Sequence, residues 1–340
     1  MLGAYDYEFP QRLIADRPAE PRDSSRLLIL DRRANRRFHA RFADLPAYLR
    51  PGDRLILNRT KVWPASLLGR KPTGGKAELL LLRELGPRRW TALSSDLKPG
   101  LRVELADGAF ADVQGRNDAG EWECLFSPPD VRAWMRRHGR PPLPPYILKR
   151  RRQSPDSPDP DWDSERYQTV FAREDGSIAA PTAGLHFTLG LLERLRGAGV
   201  RLLEITLHVG HGTFQPITAT DIHSHRMKSE WYRIEASVID EIETCRAQGA
   251  RVVAVGTTAT RALETAAQTG AREGWSDLYI CPGHRFRHID ALITNFHLPR
   301  STPLVLASAF AGREAVLDAY REAISKEYRL YSYGDAMLLL

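Results

Sequence analysis

An apolar run over residues 27–30, a polar stretch around Arg33, Ala34 and Asn35, and alternating apolar and polar positions over 37–42 predict a β-hairpin. A further short strand is predicted at 55–57, after Pro51, Gly52 and Asp53. From about 64 to 127 the texture changes. Short apolar runs at 77–82, 90–93, 101–105 and 121–126 are followed by the turn signals Gly86-Pro87, Lys98-Pro99-Gly100, Asp107-Gly108 and Pro128-Pro129. Short strands punctuated at such close intervals predict a small antiparallel β-barrel. A helix over 131–138 stops at Gly139. Four prolines within 141–145 predict a non-helical stretch through Tyr146. The Pro-, Asp- and Ser-rich segment 153–163 reads as an exposed loop or linker.

Beyond 164, strand and helix alternate. Thr188 is placed to cap a helix over 189–196, and 200–209 is a long apolar strand. Ser237 with Asp240 marks a helix start, with an end near Gly249. A buried strand at 252–255 runs through Gly256, Thr257 and Thr258 into an Ala-rich helix ending near Gln268. Another strand is predicted at 278–280, and helical stretches at 304–310 and 313–328 close the chain. The fold class expected is α/β: a discontinuous α/β domain, residues 1–63 and 153–340, with an inserted small antiparallel β-barrel domain, residues 64–152.

The chain has 340 residues, which agrees with two domains. It is 42% apolar and 27% charged, which excludes disorder as the main state. No stretch approaches the roughly 18 apolar residues of a membrane span, and the acidic start of the chain shows no targeting segment. Three scattered cysteines, Cys124, Cys245 and Cys281, argue for a reduced, cytoplasmic protein. A net charge of +7 permits a nucleic-acid partner without requiring one.

Five stretches carry candidate chemistry. Gly256, Thr257 and Thr258 sit where a buried strand meets a helix start, a place suited to an anionic group; the plain alternative is an ordinary turn capped by Thr258. The small residues of 177–188, Thr182, Ala183 and Gly184 among them, let a flat ligand approach the backbone and leave His186 for acid–base or hydrogen-bond work; the alternative is a tight loop with a structural histidine. His208, His211, His223 and His225, with Glu230 close behind, include ordinary zinc ligand types. Here, however, H-x-x-H spans a strand end and a glycine turn, so a polar active-site wall or plain surface histidines is the favoured reading. Arg136, Arg137, Arg140, Lys149, Arg150, Arg151 and Arg152 form a basic run without an acid, and seven more arginines fall within 22–41. Guanidinium groups suit phosphates, although such runs are also ordinary solvated faces. In 290–299, Asp290 is followed by Asn295 and His297 alternating with apolar residues; Asn can read a nucleobase edge, or serve only a turn.

Residues alone stop short of a reaction. The strings at 13–27, 180–188, 207–214, 252–264, 290–299 and 331–337 closely resemble the S-adenosylmethionine:tRNA ribosyltransferase-isomerase family of queuosine biosynthesis, in order and over nearly the whole chain. The resemblance implies an α/β domain with an inserted β-barrel. It implies transfer and isomerisation of the ribosyl part of S-adenosylmethionine onto 7-aminomethyl-7-deazaguanine at the tRNA wobble position, releasing adenine and methionine. S-adenosylmethionine would be a consumed substrate, with no cofactor and no metal. The tRNA anticodon region is the expected partner, with no membrane and a monomeric chain.

That chemistry needs a base for a ribose proton next to the sulfonium and an acid for departing adenine. His186, His208, His211 and Glu230 are the candidates it implies. Thr182, Ala183, Gly184, Gly256, Thr257, Thr258, Asp290, Asn295 and His297 are expected to bind substrate, and the run from Arg136 to Arg152 to hold tRNA phosphates. Departures from the family pattern stand at Arg59, Ser66, Ser95, Asp96, Lys228 and Cys281. The competing readings are a non-catalytic RNA-binding protein on the same scaffold and an ordinary methyltransferase, for which no acidic Gly-rich donor loop is found.

Overall fold

The computed structural model describes residues 1–34, 36–153, 160–214, 217 and 219–340. The chain divides into two compact units. The larger comprises Met1–Lys61, Pro144–Ser157 and Gln168–Leu340; the smaller comprises Val62–Leu143 and Pro158–Tyr167. Relative to the expected boundaries, 144–152 groups with the larger unit and 160–167 with the smaller.

The smaller unit is built on a closed six-stranded antiparallel barrel. Its strands are β5 (Ser66–Arg70), β6 (Lys76–Gly86), β7 (Arg89–Leu93), β8 (Arg102–Glu104), β9 (Phe110–Arg116) and β10 (Trp122–Phe126), in the order β10-β7-β6-β5-β8-β9. Alternation fills the interior with Leu79, Leu81, Trp90, Val103 and Phe126, all fully buried. Helix α1 (Val131–His138) follows, with the Asp130 side chain accepting the Ala133 N–H at 2.9 Å and Arg136, Arg137 and His138 in its last turn. Helix α3 (Pro160–Arg166) occupies the end of the stretch expected to be a linker; 154–159 of that stretch lie outside the described residues.

The larger unit carries a nine-stranded mixed sheet in the order β15-β13-β12-β3-β14-β16-β17-β1-β2. The strands are β1 (Arg26–Asp31), β2 (Arg36–Arg41), β3 (Arg54–Asn58), β12 (Arg201–Leu207), β13 (Glu230–Arg233), β14 (Val252–Val255), β15 (Glu273–Ser276), β16 (Ala291–Asn295) and β17 (Ala336–Leu339). The central four, β12, β3, β14 and β16, run parallel, whereas β17 returns antiparallel to β16 and parallel to β1. A short two-stranded sheet pairs β4 (Thr60–Val62) with β11 (Glu174–Ser177).

Both faces of the large sheet are buried, so its central strands read as unbroken apolar runs rather than alternating ones. Leu28, Leu30, Ile56, Ala254 and Leu292 face one core, under α5 (Ala236–Ala247), α6 (Gly256–Thr269), α7 (Thr302–Ala311) and α8 (Arg313–Ser325). Leu27, Ile29, Leu55, Val253 and Ile293 face the other, under α4 (Leu189–Gly197). Thr188 caps α4 as expected, accepting the Leu191 N–H at 3.1 Å.

Some expectations are corrected. The proline stretch ends in a helix, α2 (Pro145–Arg151), because Pro145 occupies a first-turn position where no N–H is needed. Helix α5 begins at Ala236, so Ser237 lies inside it rather than at its cap. Helix α6 begins at Gly256 itself, without a side-chain cap from Thr258. The strand expected at 278–280 is absent; the strand of that region is β15.

The start of β1 is tied to the turn before β17 by Asp335, which is 2% exposed. Its carboxylate accepts the Arg26 N–H at 2.9 Å, the Arg26 Nε–H at 3.1 Å and the Arg329 N–H at 2.7 Å. Asp335→Ala strands these donors at a buried strand edge. It is expected to lower unfolding free energy by about 3 kcal/mol in urea denaturation; an unchanged midpoint would contradict this account of the strand junction.

Candidate active site

The parallel strands β14 and β16 end on one edge of the sheet, together with the turns that precede β1 and β17. Strand carboxyl ends of this kind are where open α/β sheets bind ligands. An open cleft lies there. One wall is 179–183, ahead of which Ser177 accepts the Val209 N–H at 2.8 Å. Another is Gly256, Thr257 and Thr258 at the start of α6. Thr294, Asn295, Phe296, His297 and Leu298 continue β16, while Ser301, Pro303, Tyr146, Tyr331 and Ser332 complete the lining.

Gly256 has φ +89°, a conformation that strongly favours glycine at this strand-to-helix transition. The helix that follows carries no side-chain cap. Its first N–H groups therefore lack intrahelical partners beside the cleft, at the positive end of the helix dipole. Asn58, 1% exposed, fixes this corner. Its amide donates to the Leu207 carbonyl at 2.9 Å and to Thr258 Oγ1 at 3.3 Å, and accepts the Leu207 N–H at 3.1 Å.

Asn295, fully buried but for an edge on the cleft, makes three contacts. Its Oδ1 accepts from Thr182 Oγ1 at 2.9 Å; its Nδ2 donates to His186 Nε2 at 3.0 Å and to the Tyr331 carbonyl at 3.3 Å. Across the opening, the Tyr146 hydroxyl meets Ser332 Oγ at 2.5 Å, and burial pushes the Tyr146 phenol up to about 12. His297 lies on the wall with Nε2 2.6 Å from Thr294 Oγ1. Burial pushes its pKa down to about 3, so the ring is neutral at pH 7.

Of the residues expected to act, the structure gathers Thr182, Ala183, Gly256, Thr257, Thr258, Asn295 and His297 on the cleft, and not the others. His186 lies behind Asn295, 4% exposed, with Nδ1 2.8 Å from Ser25 Oγ and its ring stacked on Phe42 at 5.0 Å. Burial, then the charges of Arg329 and Arg22, push its pKa down to about 3. A sequestered neutral imidazole of this kind is a hydrogen-bonding element and not the expected base. Val209 faces the cleft, and strand alternation turns His208 away. The His208 ring stacks on Trp231, bonds Thr60 Oγ1 at 2.8 Å and crowds Gly176; burial lowers its pKa. His211 Nε2 contacts Lys228 Nζ at 2.8 Å.

Glu230, 4% exposed, pairs with Arg261 and accepts the Gly210 N–H at 2.8 Å. It braces the loop after β12 rather than reaching the cleft. Gly184 packs against Phe171 and Thr169, where an added Cβ would lie 2.8 Å from each. Asp290 is at the other end of β16, accepting the Val252 N–H at 2.9 Å. His223 and His225 take separate neighbours, Cys281 and Tyr279, and among the described residues no group of three ligand side chains assembles for a metal.

The basic run is divided between the two units. Arg136, Arg137 and Arg140 are exposed in the smaller, and Lys149 and Arg152 are exposed in the larger, with Arg150 half-buried. Arg151 is 7% exposed and donates twice to the Asp16 carbonyl, at 3.0 and 2.9 Å, so it serves the fold rather than an RNA. Most arginines of 22–41 are likewise taken up internally: Arg22 by the Gln168 carbonyl, Arg26 by Asp335, Arg32 by the Phe310 carbonyl and Arg37 by Glu322. At the departures from the family pattern, Arg59 pairs with Glu174, Ser66 donates to Glu78 and Asp96 pairs with Lys71.

Two predictions follow from the buried groups. Glu230→Ala leaves Arg261 charged and uncompensated in the interior, and should cost about 3–5 kcal/mol in chemical denaturation; a neutral result would contradict the bracing role. The folded pKa of His186 lies below that of the unfolded imidazole, roughly 6.5. Its stabilising contribution is thus complete above pH 6.5 and is lost as pH falls towards 3. Between pH 7 and 5 the loss is about 2 kcal/mol, and His186→Gln should remove that part of the pH dependence. The same slope in wild type and variant would show that the ring is protonated in the fold.

The chain matches the model of the family described as queuosine biosynthesis protein over residues 2–339. It is 49% identical to the S-adenosylmethionine:tRNA ribosyltransferase-isomerase of Citrifermentans bemidjiense, over 99% of each chain, and 46% identical to that of Aquifex aeolicus, over 100% of this chain and 99% of the relative. A crystal structure of the S-adenosylmethionine tRNA ribosyltransferase of Thermotoga maritima is 36% identical, with a TM-score of 0.56 over 99% of this chain and 100% of the other. With matches of this length and identity, the chain belongs to the queuosine biosynthesis protein family.

Proposed function

We propose that this chain is an S-adenosylmethionine:tRNA ribosyltransferase-isomerase acting in queuosine biosynthesis. It transfers and isomerises the ribosyl part of S-adenosylmethionine onto 7-aminomethyl-7-deazaguanine at the tRNA wobble position, leaving epoxyqueuosine in the tRNA and releasing adenine and methionine. The observation that carries this reading is the full-length match to enzymes of that name, in a chain where five of the six resembling strings contribute residues to one cleft.

The sulfonium acidifies the neighbouring ribose carbon and makes methionine a good leaving group. Removal of that proton, expulsion of adenine, attack by the aminomethyl nitrogen and closure of the epoxide as methionine departs balance the reaction. The uncapped start of α6 offers N–H donors to the methionine carboxylate. The small residues of 179–183 let the donor lie close to backbone. His297 is the imidazole of the expected set that lies on the cleft wall, and, neutral like His186, it serves the donor as a hydrogen-bonding and orienting group rather than as the base. Neutral at pH 7 and anchored by Thr294, it hydrogen-bonds the reacting part of the donor. Arg136, Arg137, Arg140, Lys149, Arg150 and Arg152 supply positive charge for tRNA phosphates.

Incubation with S-adenosylmethionine and precursor tRNA should release adenine and methionine in equal amounts. Release of S-adenosylhomocysteine would point to methyl transfer, and binding without release to a non-catalytic RNA-binding protein. His297→Ala should lower kcat by roughly 10²–10³-fold with tRNA still bound. Lys149→Ala combined with Arg152→Ala should weaken tRNA binding and reduce the slope of log affinity against log salt by about 2, leaving kcat at saturating tRNA unchanged. The reverse pairing of defects would overturn these roles.

A further inference from the structure

We infer that Thr182 and Asn295 form an acceptor-only subsite for the α-ammonium group of the donor's methionine part, and that Ser25 and His186 are positioning residues that hold Asn295 in the orientation this requires. The inference rests on the donor proposed above.

A backbone carbonyl can only accept. The Tyr331 carbonyl, 3.3 Å from Asn295 Nδ2, therefore fixes which end of the amide is nitrogen. The same Nδ2 lies 3.0 Å from His186 Nε2, so both amide hydrogens are committed and Nε2 must be the unprotonated ring nitrogen. The ring hydrogen then resides on Nδ1 and is donated to Ser25 Oγ at 2.8 Å. Ser25 is 2% exposed, and Phe42 stacks on the imidazole. Asn295 Oδ1 can only accept, so the Thr182 hydroxyl spends its hydrogen on it at 2.9 Å. What this pair offers the cleft is lone pairs: those left on Oδ1 and on Thr182 Oγ1, with no donor.

A nucleobase edge that alternates donors and acceptors is poorly met by such a surface, whereas an ammonium, which has donors only, is well met. The neighbouring wall supplies the complement. Ala183, next to Thr182, sits against Gly256 at the start of α6, where an added Cβ would lie 3.6 Å from the Ala183 Cβ. Helix N–H groups and the acceptor pair are thus adjacent, as are the carboxylate and ammonium on one α-carbon. Among the described residues lining the cleft none is an aspartate, glutamate, lysine or arginine, so fixed dipoles and not ion pairs receive the zwitterion.

The test uses the full chain with precursor tRNA and compares S-adenosylmethionine with its analogue lacking the α-amino group. In the wild type the analogue should show a KM roughly tenfold or more higher, as loss of a hydrogen-bonded charge implies, with kcat little changed. Thr182→Val, nearly isosteric, should bring the two KM values together. Ser25→Ala should narrow the gap by freeing the imidazole and hence the amide, and Ser25→Thr should restore it. Equal KM values in the wild type, or an unchanged gap in Thr182→Val, would overturn the subsite; an unchanged gap in Ser25→Ala would overturn the positioning role. Should the wild type release no adenine from S-adenosylmethionine, the proposed reaction fails. The subsite is then decided by equilibrium binding of methionine against its counterpart without the amino group: a preference lost in Thr182→Val supports it, and equal binding overturns it.

Discussion

A single backbone carbonyl, that of Tyr331, sets the polarity of the cleft. It leaves the Asn295 amide one orientation; the amide makes Thr182 a donor and leaves His186 one tautomer; the tautomer makes Ser25 an acceptor. A carbonyl does not titrate, and burial keeps the imidazole neutral. The arrangement therefore holds one protonation state near pH 7. It also depends on tertiary structure at every step, since its members come from the segments before β1, before α4, at the end of β16 and before β17.

Charge is kept in the shell behind the cleft rather than on its wall. Glu230 and Arg261 brace the loop after β12, Asp335 gathers Arg26 and Arg329 at the start of β1, and Asn58 joins the ends of β3 and β12 to α6. Glu230, Arg261, Asp335 and Asn58 are each paired, as burial demands. The wall is left with amide, hydroxyl, imidazole and helix-end dipoles. Such dipoles need no reorganisation as a positive sulfonium is consumed, which suits a reaction that moves charge through the site.

Much of this was legible along the chain. The barrel announced itself through closely spaced strands and turns, and the parallel core through unbroken apolar runs such as 252–255. Gly256, Thr257, Thr258, Thr182 and Asn295 were readable because small residues, a strand-to-helix junction and alternation mark a strand edge. The histidines were not. Imidazole is equally at home as base, ligand or buried linker, and only the fold tells His297 on the wall from His186 one layer behind it. Alternation did hold the signal that Val209 faces the cleft and His208 does not. Tyr331, Ser332 and Ser25 stand in strings that resemble the family, yet nothing local in them marks a carbonyl or a hydroxyl as an anchor. The helix at 145–151 was hidden by prolines, strands β13 and β15 by short mixed sequences, and β17 by an apolar run of four residues, whose state is decided by sheet neighbours.

The most direct test of the central claim is a structure of the full chain with S-adenosylmethionine bound. The account predicts the donor in the cleft between α6 and the end of β16, its carboxylate on the first turn of α6, and His186 still bonded to Asn295 without touching the ligand. A donor bound elsewhere, or the His186 ring turned onto the ribose, would contradict it.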